Sequence, residues 1–415
     1  GDGDGPDDGG GTGEAWAQLG ATLAGDTADD LFGAGASISG DGQVIAVGSI
    51  ESRKVKVYKW SGTAWAQRGG DLTRPDSQTG SFATRGFGRA TSLSEDGSVV
   101  AVGADQAERD GIVAVFQWSS GAGEYVPMGA ILESEAPNDL FGSAVALSPD
   151  GLTLVASATK NEPASYSGWG RYGQMRVFTY SGGAWAQKGG DIDGAGPNDF
   201  FGYSVALSAD GNIVAGSSKN DAGMDGYVRV YAYDEFGHWA QVGSTLSGDD
   251  AAEFGTSIAL SATGHTLAVG AAYGDFGAEN SGGVAIFELG ASYSFEPVAT
   301  FDGAAANDAF GTAVALSADG QTVAMGAPSA GGAGAVHVYK YDGTAGVLGW
   351  HEWGTPIVGE ATGNAAGHYL GLSSDGTRVV VASVYAQASA GAVRVFEAPG
   401  VDGTTGGTTT PTPTP

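Results

Sequence analysis

The chain repeats itself, and the repeat decides what it can fold into. A Phe-Gly pair stands at Phe32-Gly33, Phe87-Gly88, Phe141-Gly142, Phe201-Gly202, Phe254-Gly255 and Phe310-Gly311, with a degenerate copy at Ala366-Gly367. Seven residues after each comes a serine: Ser39, Ser94, Ser148, Ser208, Ser261, Ser317 and Ser373. Two residues further Asp-Gly follows in six copies, and Thr263-Gly264 takes its place in the other. An apolar run comes next, such as Val44 to Gly48 or Val99 to Gly103. After a loop of variable length an alternating run follows, such as Val228 to Tyr231 or Val393 to Phe396. The phrase Trp-Ala-Gln-x-Gly closes the unit at Trp65, Trp185 and Trp239 and also stands at Trp16. Tyr125 to Gly129 and Trp350 to Gly354 are looser copies, and Phe295 lies near the remaining place.

Short β-branched runs bounded by Gly and Asp read as strands, and Asp-Gly between two of them reads as a hairpin. Four strands in each unit of about 55 residues, seven times in phase, predict propeller blades. The chain opens on a fourth-type strand (Trp16 to Leu23) and closes on a third-type one (Val393 to Phe396). Pairing these two would close the ring and leave no sticky edge between the first and last blades. The expected fold is therefore all-β: a seven-bladed β-propeller with four antiparallel strands per blade, the N-terminal strand completing the last blade. It spans residues 14–398, between a flexible acidic linker (1–13) and a Thr/Pro-rich linker (399–415).

Composition removes several function classes. A net charge of −29 repels phosphate backbones and anionic lipid, which argues against nucleic-acid and membrane-surface binding. There is no cysteine, so disulfides and thiolate chemistry are excluded. No apolar run reaches membrane-spanning length. The histidines His238, His265, His337, His351 and His368 are scattered without metal-ligand spacing. The repeat serines hold a fixed turn position, which is hairpin chemistry rather than nucleophile activation.

Phe310-Gly311 followed by Gly326-Ala327-Pro328 is a literal copy of the FG-GAP phrase. Over roughly residues 14 to 398 the chain resembles the FG-GAP propellers, which include the heads of integrin α subunits. The resemblance implies an extracellular adhesion or ligand-binding module rather than an enzyme. Integrin-type repeats carry calcium in an Asp-x-Asp-x-Asp-Gly loop, whereas this chain has only Ser-Ala-Asp-Gly, as at Ser317 to Gly320. One carboxylate on a two-residue hairpin falls short of the six or more oxygens calcium takes, so those sites are not carried over.

Loops that vary on a rigid frame are where binding resides. The insertion ASYSGWGRYG places Tyr166, Trp169, Arg171 and Tyr172 in one Gly/Ser-rich segment suited to stacking on sugars or anchoring a protein. The alternative is a loop that folds back over a blade. Tyr273 and Phe276 form a second candidate. An acid stands two residues before Phe at Asp30, Asp139, Asp199 and Asp308. Its leading reading is a cap on the turn into the inner strand, and the other is a ring holding a divalent cation such as calcium. The recurring tryptophans read as packing between sheets. No cofactor is required. The expected function is non-enzymatic binding or adhesion at the variable-loop face, with a glycan or a surface protein as partner, in a monomeric module of a larger secreted or cell-surface protein. A hydrolase or lyase with an acidic site at the channel mouth, and a structural spacer, are the alternatives.

Overall fold

A computed structural model describes residues 13–75, 85–106, 111–162, 170–218, 226–248, 253–275, 278–343 and 349–400. They form seven antiparallel meander sheets set around an axis as a seven-bladed β-propeller. Blade six is typical, with strands Ala313–Leu316, Thr322–Ala327, Ala335–Asp342 and Gly349–Glu352 running from the axis outward. Each second strand has a neighbouring blade on both faces. Hence Val44–Ser49, Val99–Ala104, Thr153–Ala158 and Thr322–Ala327 are buried along their whole length and read as continuous apolar runs.

The ring closes as the two chain ends predict. Ala17–Gln18 and Leu23–Ala24 both pair with Ala392–Glu397, in a register that sets Ala17 opposite Glu397 and Leu23 opposite Val393. The amide of Leu19 donates to the Val395 carbonyl at 2.8 Å.

The repeat phrases each have a packing reason. Phe87, Phe141 and Phe201 are fully buried wedges, and Phe32, Phe254 and Phe310 are nearly so. Phe87 shares one core with Val44, Val55 and Val57 of blade one and with Val100 and Val102 of its own blade. The glycine after Phe lies against a small second-strand residue of the preceding blade, a glycine beneath Gly88, Gly142, Gly311 and Gly367 and Ser157, Ser217 or Ala382 beneath Gly202, Gly255 and Gly33. A Cβ on Gly48 would sit 1.9 Å from the Gly88 carbonyl oxygen, and one on Gly103 2.1 Å from that of Gly142.

On the outer rim each Trp indole N–H reaches back one blade. Trp65 Nε1 donates to Leu19 O at 3.0 Å, Trp185 to Met128 O at 2.7 Å, Trp239 to Lys188 O at 2.8 Å and Trp16 to Trp353 O at 2.6 Å. The glycine ending each phrase leaves room for the next indole: a Cβ on Gly189 would lie 2.8 Å from Trp239. The rim tryptophans are pins between blades, as their fixed register predicts.

The Asp-Gly turn is longer than the two-residue hairpin expected from sequence. Ser39 and Val44 close the ladder, leaving four residues, Gly40 to Gln43, in the loop. Asp-Gly sits inside that loop because Gly42, at φ 67°, supplies its left-handed residue. The serine hydroxyl completes the turn, donating to Asp41 Oδ1 at 2.5 Å and accepting the Val44 amide at 2.9 Å. Ser317 repeats the pattern with Asp319 and the Thr322 amide. Ser317→Ala should therefore cost about 1–3 kcal/mol by stranding a buried amide, measured by urea unfolding. A Ser317→Ala protein as stable as the parent would show that the hydroxyl is dispensable.

These turns also bond to one another around the axis. Ser374 N donates to Gly40 O, Asp41 N to Glu95 O, Glu95 N to Pro149 O, Ala209 N to Ala262 O, Ala262 N to Ala318 O and Ala318 N to Ser374 O. The link from blade three to blade four is missing because Pro149 has no amide hydrogen.

Candidate binding site at the channel mouth

The Phe-Gly pair does a second job at the other end of the inner strands. The residue before Phe is left-handed at Leu31, Leu140, Phe200, Glu253, Ala309 and Ala365. The glycine is left-handed too, with φ 87° at Gly311. Together they make a tight turn in which the residue after Gly donates its amide to the residue before Phe. Examples are Thr256 N to Glu253 O at 3.0 Å and Arg89 N to Gly86 O at 3.0 Å. The turn varies little (in blade four Tyr203 N donates to Ser217 O instead, at 3.1 Å), but the side chain presented to the axis differs from blade to blade. Blades two to seven present Arg89, Ser143, Tyr203, Thr256, Thr312 and His368, all lining one cavity of about 410 Å³. That volume lies in the range of ligand pockets.

Asp105 and Thr159, from the loops after the second strands of blades two and three, add to the wall. Arg89 Nε lies 3.2 Å from Asp105 Oδ2, with the arginine side chain 45% exposed and the aspartate 5%. Burial pushes the Asp105 carboxyl above its ordinary pKa, while Arg89, Lys160 and Arg85 act in the opposite direction. Asp105 Oδ1 has no hydrogen-bond partner among the described residues. Across the mouth the His368 ring meets Tyr369 edge-on at 4.9 Å and lies 6.1 Å from Tyr385. Burial lowers the His368 pKa from an ordinary value of 6.5, so the ring is neutral at pH 7. Tyr203 and Tyr385 are exposed, at 41% and 52%.

Three hydroxyls have already committed their protons. Ser143 donates to Leu140 O, Thr256 to Glu253 O and Thr312 to Ala309 O, each at 2.7 Å. What remains on each oxygen is lone-pair capacity, so these groups accept hydrogen bonds from whatever occupies the mouth.

The residues singled out from sequence lie elsewhere. Tyr166, Trp169 and Phe276 fall outside the described residues. Arg171 and Tyr172 join the insertion to blade four through their backbones: Phe200 N donates to Arg171 O at 3.2 Å and Phe201 N to Tyr172 O at 3.0 Å. The Arg171 guanidinium lies 5.7 Å from the Phe200 ring centre. These two residues therefore lie at the start of blade four's inner strand. Tyr273 is exposed at 47% but does not line the mouth.

The four aspartates are caps rather than a shared ring. Each is buried, at 1% for Asp30 and 8% for Asp308. Asp139 Oδ2 accepts the Ala136 amide, Asp199 Oδ2 the Gly196 amide, Asp308 Oδ2 the Ala305 amide and Asp30 Oδ1 the Ser52 amide. Asp139 and Asp199 also accept from Asn161 and from the Tyr227 hydroxyl. Three of these carboxylates hold the segment just before them and Asp30 the loop at Ser52, and among the described residues no group of three acids or histidines forms a metal-ligand set.

Sequence reasoning passed over Arg89, Tyr203 and His368. The signal was present: two residues after Phe, a varied side chain follows an otherwise fixed phrase.

No protein-family model matches the chain, and no curated protein matches it. Solved structures with the same fold include hydrazine synthase of Kuenenia stuttgartiensis, at TM-score 0.60 and 13% identity, covering 92% of this chain and 98% of that one. The Cps50 (Swd1) β-propeller domain of Myceliophteria thermophila aligns at TM-score 0.58 and 10% identity, covering 92% and 99%. A putative 6-phosphogluconolactonase of Bacteroides uniformis aligns at 0.52 and 14%, covering 80% and 86%. At these identities the likeness is one of fold, and propellers of such different function leave the chemistry to the site itself.

Proposed function

We propose that the protein is a non-enzymatic binding module that takes a small hydroxyl-rich ligand, a glycan in the first instance, in the channel mouth on the Phe-Gly face. The observation that carries this reading is the ring of spent hydroxyls at Ser143, Thr256 and Thr312 facing one cavity with Arg89 and the exposed Tyr203. Sugar hydroxyls donate to such oxygens, and a sugar's apolar face stacks on a tyrosine ring. Against hydrolysis stands the count of acids: Asp105 is the single carboxylate among the described lining residues, and glycoside cleavage commonly uses two. An extracellular or cell-surface setting rests on the FG-GAP resemblance and the Thr/Pro-rich end.

A glycan-array screen followed by calorimetry tests the reading. The parent protein should retain at least one glycan, and Tyr203→Ala should weaken it about tenfold or more while melting at the same temperature. Retention untouched by Tyr203→Ala would move the site off the mouth, and turnover of the bound glycan would make the protein an enzyme.

A further inference from the structure

We propose that the ligand of the mouth is an acidic sugar, and that Arg89 selects it by gripping the ligand's carboxylate. This rests on the reading of the mouth as a ligand site and adds the ligand's charge. Arg89 is the only arginine or lysine among the described lining residues. Its Nε is engaged by Asp105 Oδ2, and the Nη1–Nη2 edge takes no partner among the described residues. A guanidinium has two edges that each match a carboxylate. Here the buried aspartate lies on the Nε side, which leaves the other edge for a ligand. The unequal burial of the pair, 5% for Asp105 against 45% for Arg89, says which partner faces the ligand.

The rest of the wall discriminates among anions. A carboxylate has two oxygens, and one guanidinium edge satisfies both. A sulfate or phosphate brings further oxygens that need donors, whereas Ser143, Thr256 and Thr312 have given their protons away and would face those oxygens with lone pairs. The same three oxygens suit the hydroxyl protons of a sugar ring. A neutral sugar would satisfy them too, and its hydroxyl oxygens would accept from the guanidinium edge, but without the opposite charge and the paired oxygens that a carboxylate brings.

Charge at longer range supports the placement. The chain carries 18 Lys and Arg against 47 Asp and Glu, so an anion is repelled by most of the surface. Near the mouth, however, Lys160 and Arg85 join Arg89 in acting on Asp105. Three basic side chains therefore act at the mouth beside blades two and three of an otherwise acidic molecule.

Isothermal calorimetry on the full chain tests this with methyl glucuronide, methyl galacturonide and the methyl glycoside of N-acetylneuraminic acid. Each is run beside its neutral counterpart, namely methyl glucoside, methyl galactoside and the methyl ester of the sialoside. At least one acid should bind about 10- to 100-fold more tightly than its neutral partner. Arg89→Met should weaken that acid far more than its neutral counterpart and so erase the preference between them, and Arg89→Lys should retain part of the preference. If Arg89→Met fails to fold because Asp105 loses its partner, the double variant R89M/D105N removes both charges and serves instead. Equal binding of acid and neutral forms, a preference that survives Arg89→Met, or tighter binding of methyl glucoside 6-sulfate overturns the inference. The mouth reading would still stand wherever Tyr203→Ala weakens a retained glycan. Silence from the acids together with an empty array removes both.

Discussion

Trp16→Ala should lower the unfolding free energy by about 3–5 kcal/mol, a large share of the roughly 5–15 kcal/mol that holds a typical domain together. Trp16 is 6% exposed and packs with Val336, Val338, Val379 and Phe396, so truncation empties a large volume between blades six and seven. It also deletes the 2.6 Å hydrogen bond to the Trp353 carbonyl and the edge-on contact with the Trp353 ring at 5.4 Å. The position amplifies the loss. Trp16 sits beside Ala17–Gln18, the segment that pairs with Ala392–Glu397 and closes the ring. When that segment loosens, the last blade exposes a strand edge, and exposed edges pair with other chains. Urea unfolding followed by circular dichroism should show the drop, and light scattering should show association that grows with concentration. Trp350, half-buried with its ring against Phe301 and Tyr341, stands away from the seam, so Trp350→Ala should cost less and leave the protein monomeric. Equal costs at the two sites would mean that the closing strand has no special weight.

Gly103→Ala is the second large effect, with an expected cost of at least about 3 kcal/mol from a single added methyl group. The new Cβ would stand 2.1 Å from the Gly142 carbonyl oxygen and 3.3 Å from its Cα, and both belong to the backbone of the next blade. A flexible side chain swings away at little cost, but here two sheets must separate. Gly190 provides the control. It has no atom within 4 Å of a built Cβ and no left-handed φ, so Gly190→Ala should change stability by less than about 0.5 kcal/mol. Parallel thermal melts of the two variants decide the matter. Similar melting points would show that the glycine contact between blades yields easily.

Much of the architecture was legible because it is periodic. Ser317, Asp319 and Gly320 serve one turn, and Phe310 with Gly311 serves one junction. Each recurs around the ring, so local chemistry repeated seven times identifies a blade. The closing strand was legible for the same reason, since Trp16 carries a rim phrase with no inner strands before it. The length of the Asp-Gly turn was not legible. Ser39 uses its side chain in place of a ladder bond, and the spacing alone does not reveal that substitution. The aspartates Asp139, Asp199 and Asp308 were legible as caps because a short carboxylate two residues before Phe can reach back to the amide three residues earlier in the chain.

The candidate site was legible only as a pattern of variation. Arg89 and Asp105 are 16 positions apart, and Arg89 and His368 belong to opposite ends of the chain, yet they line one cavity. Aromatics in the insertion drew attention because composition marks them, whereas Tyr203 looks ordinary in sequence.

The amino-acid order by itself settled how many blades form and which strand completes the ring. Those properties depend on contacts that recur at a constant offset. Only the tertiary structure decided which variable side chains share the axis and which edge of Arg89 is free. Closing the ring brings residues from all seven blades to one mouth, and that meeting has no period along the chain.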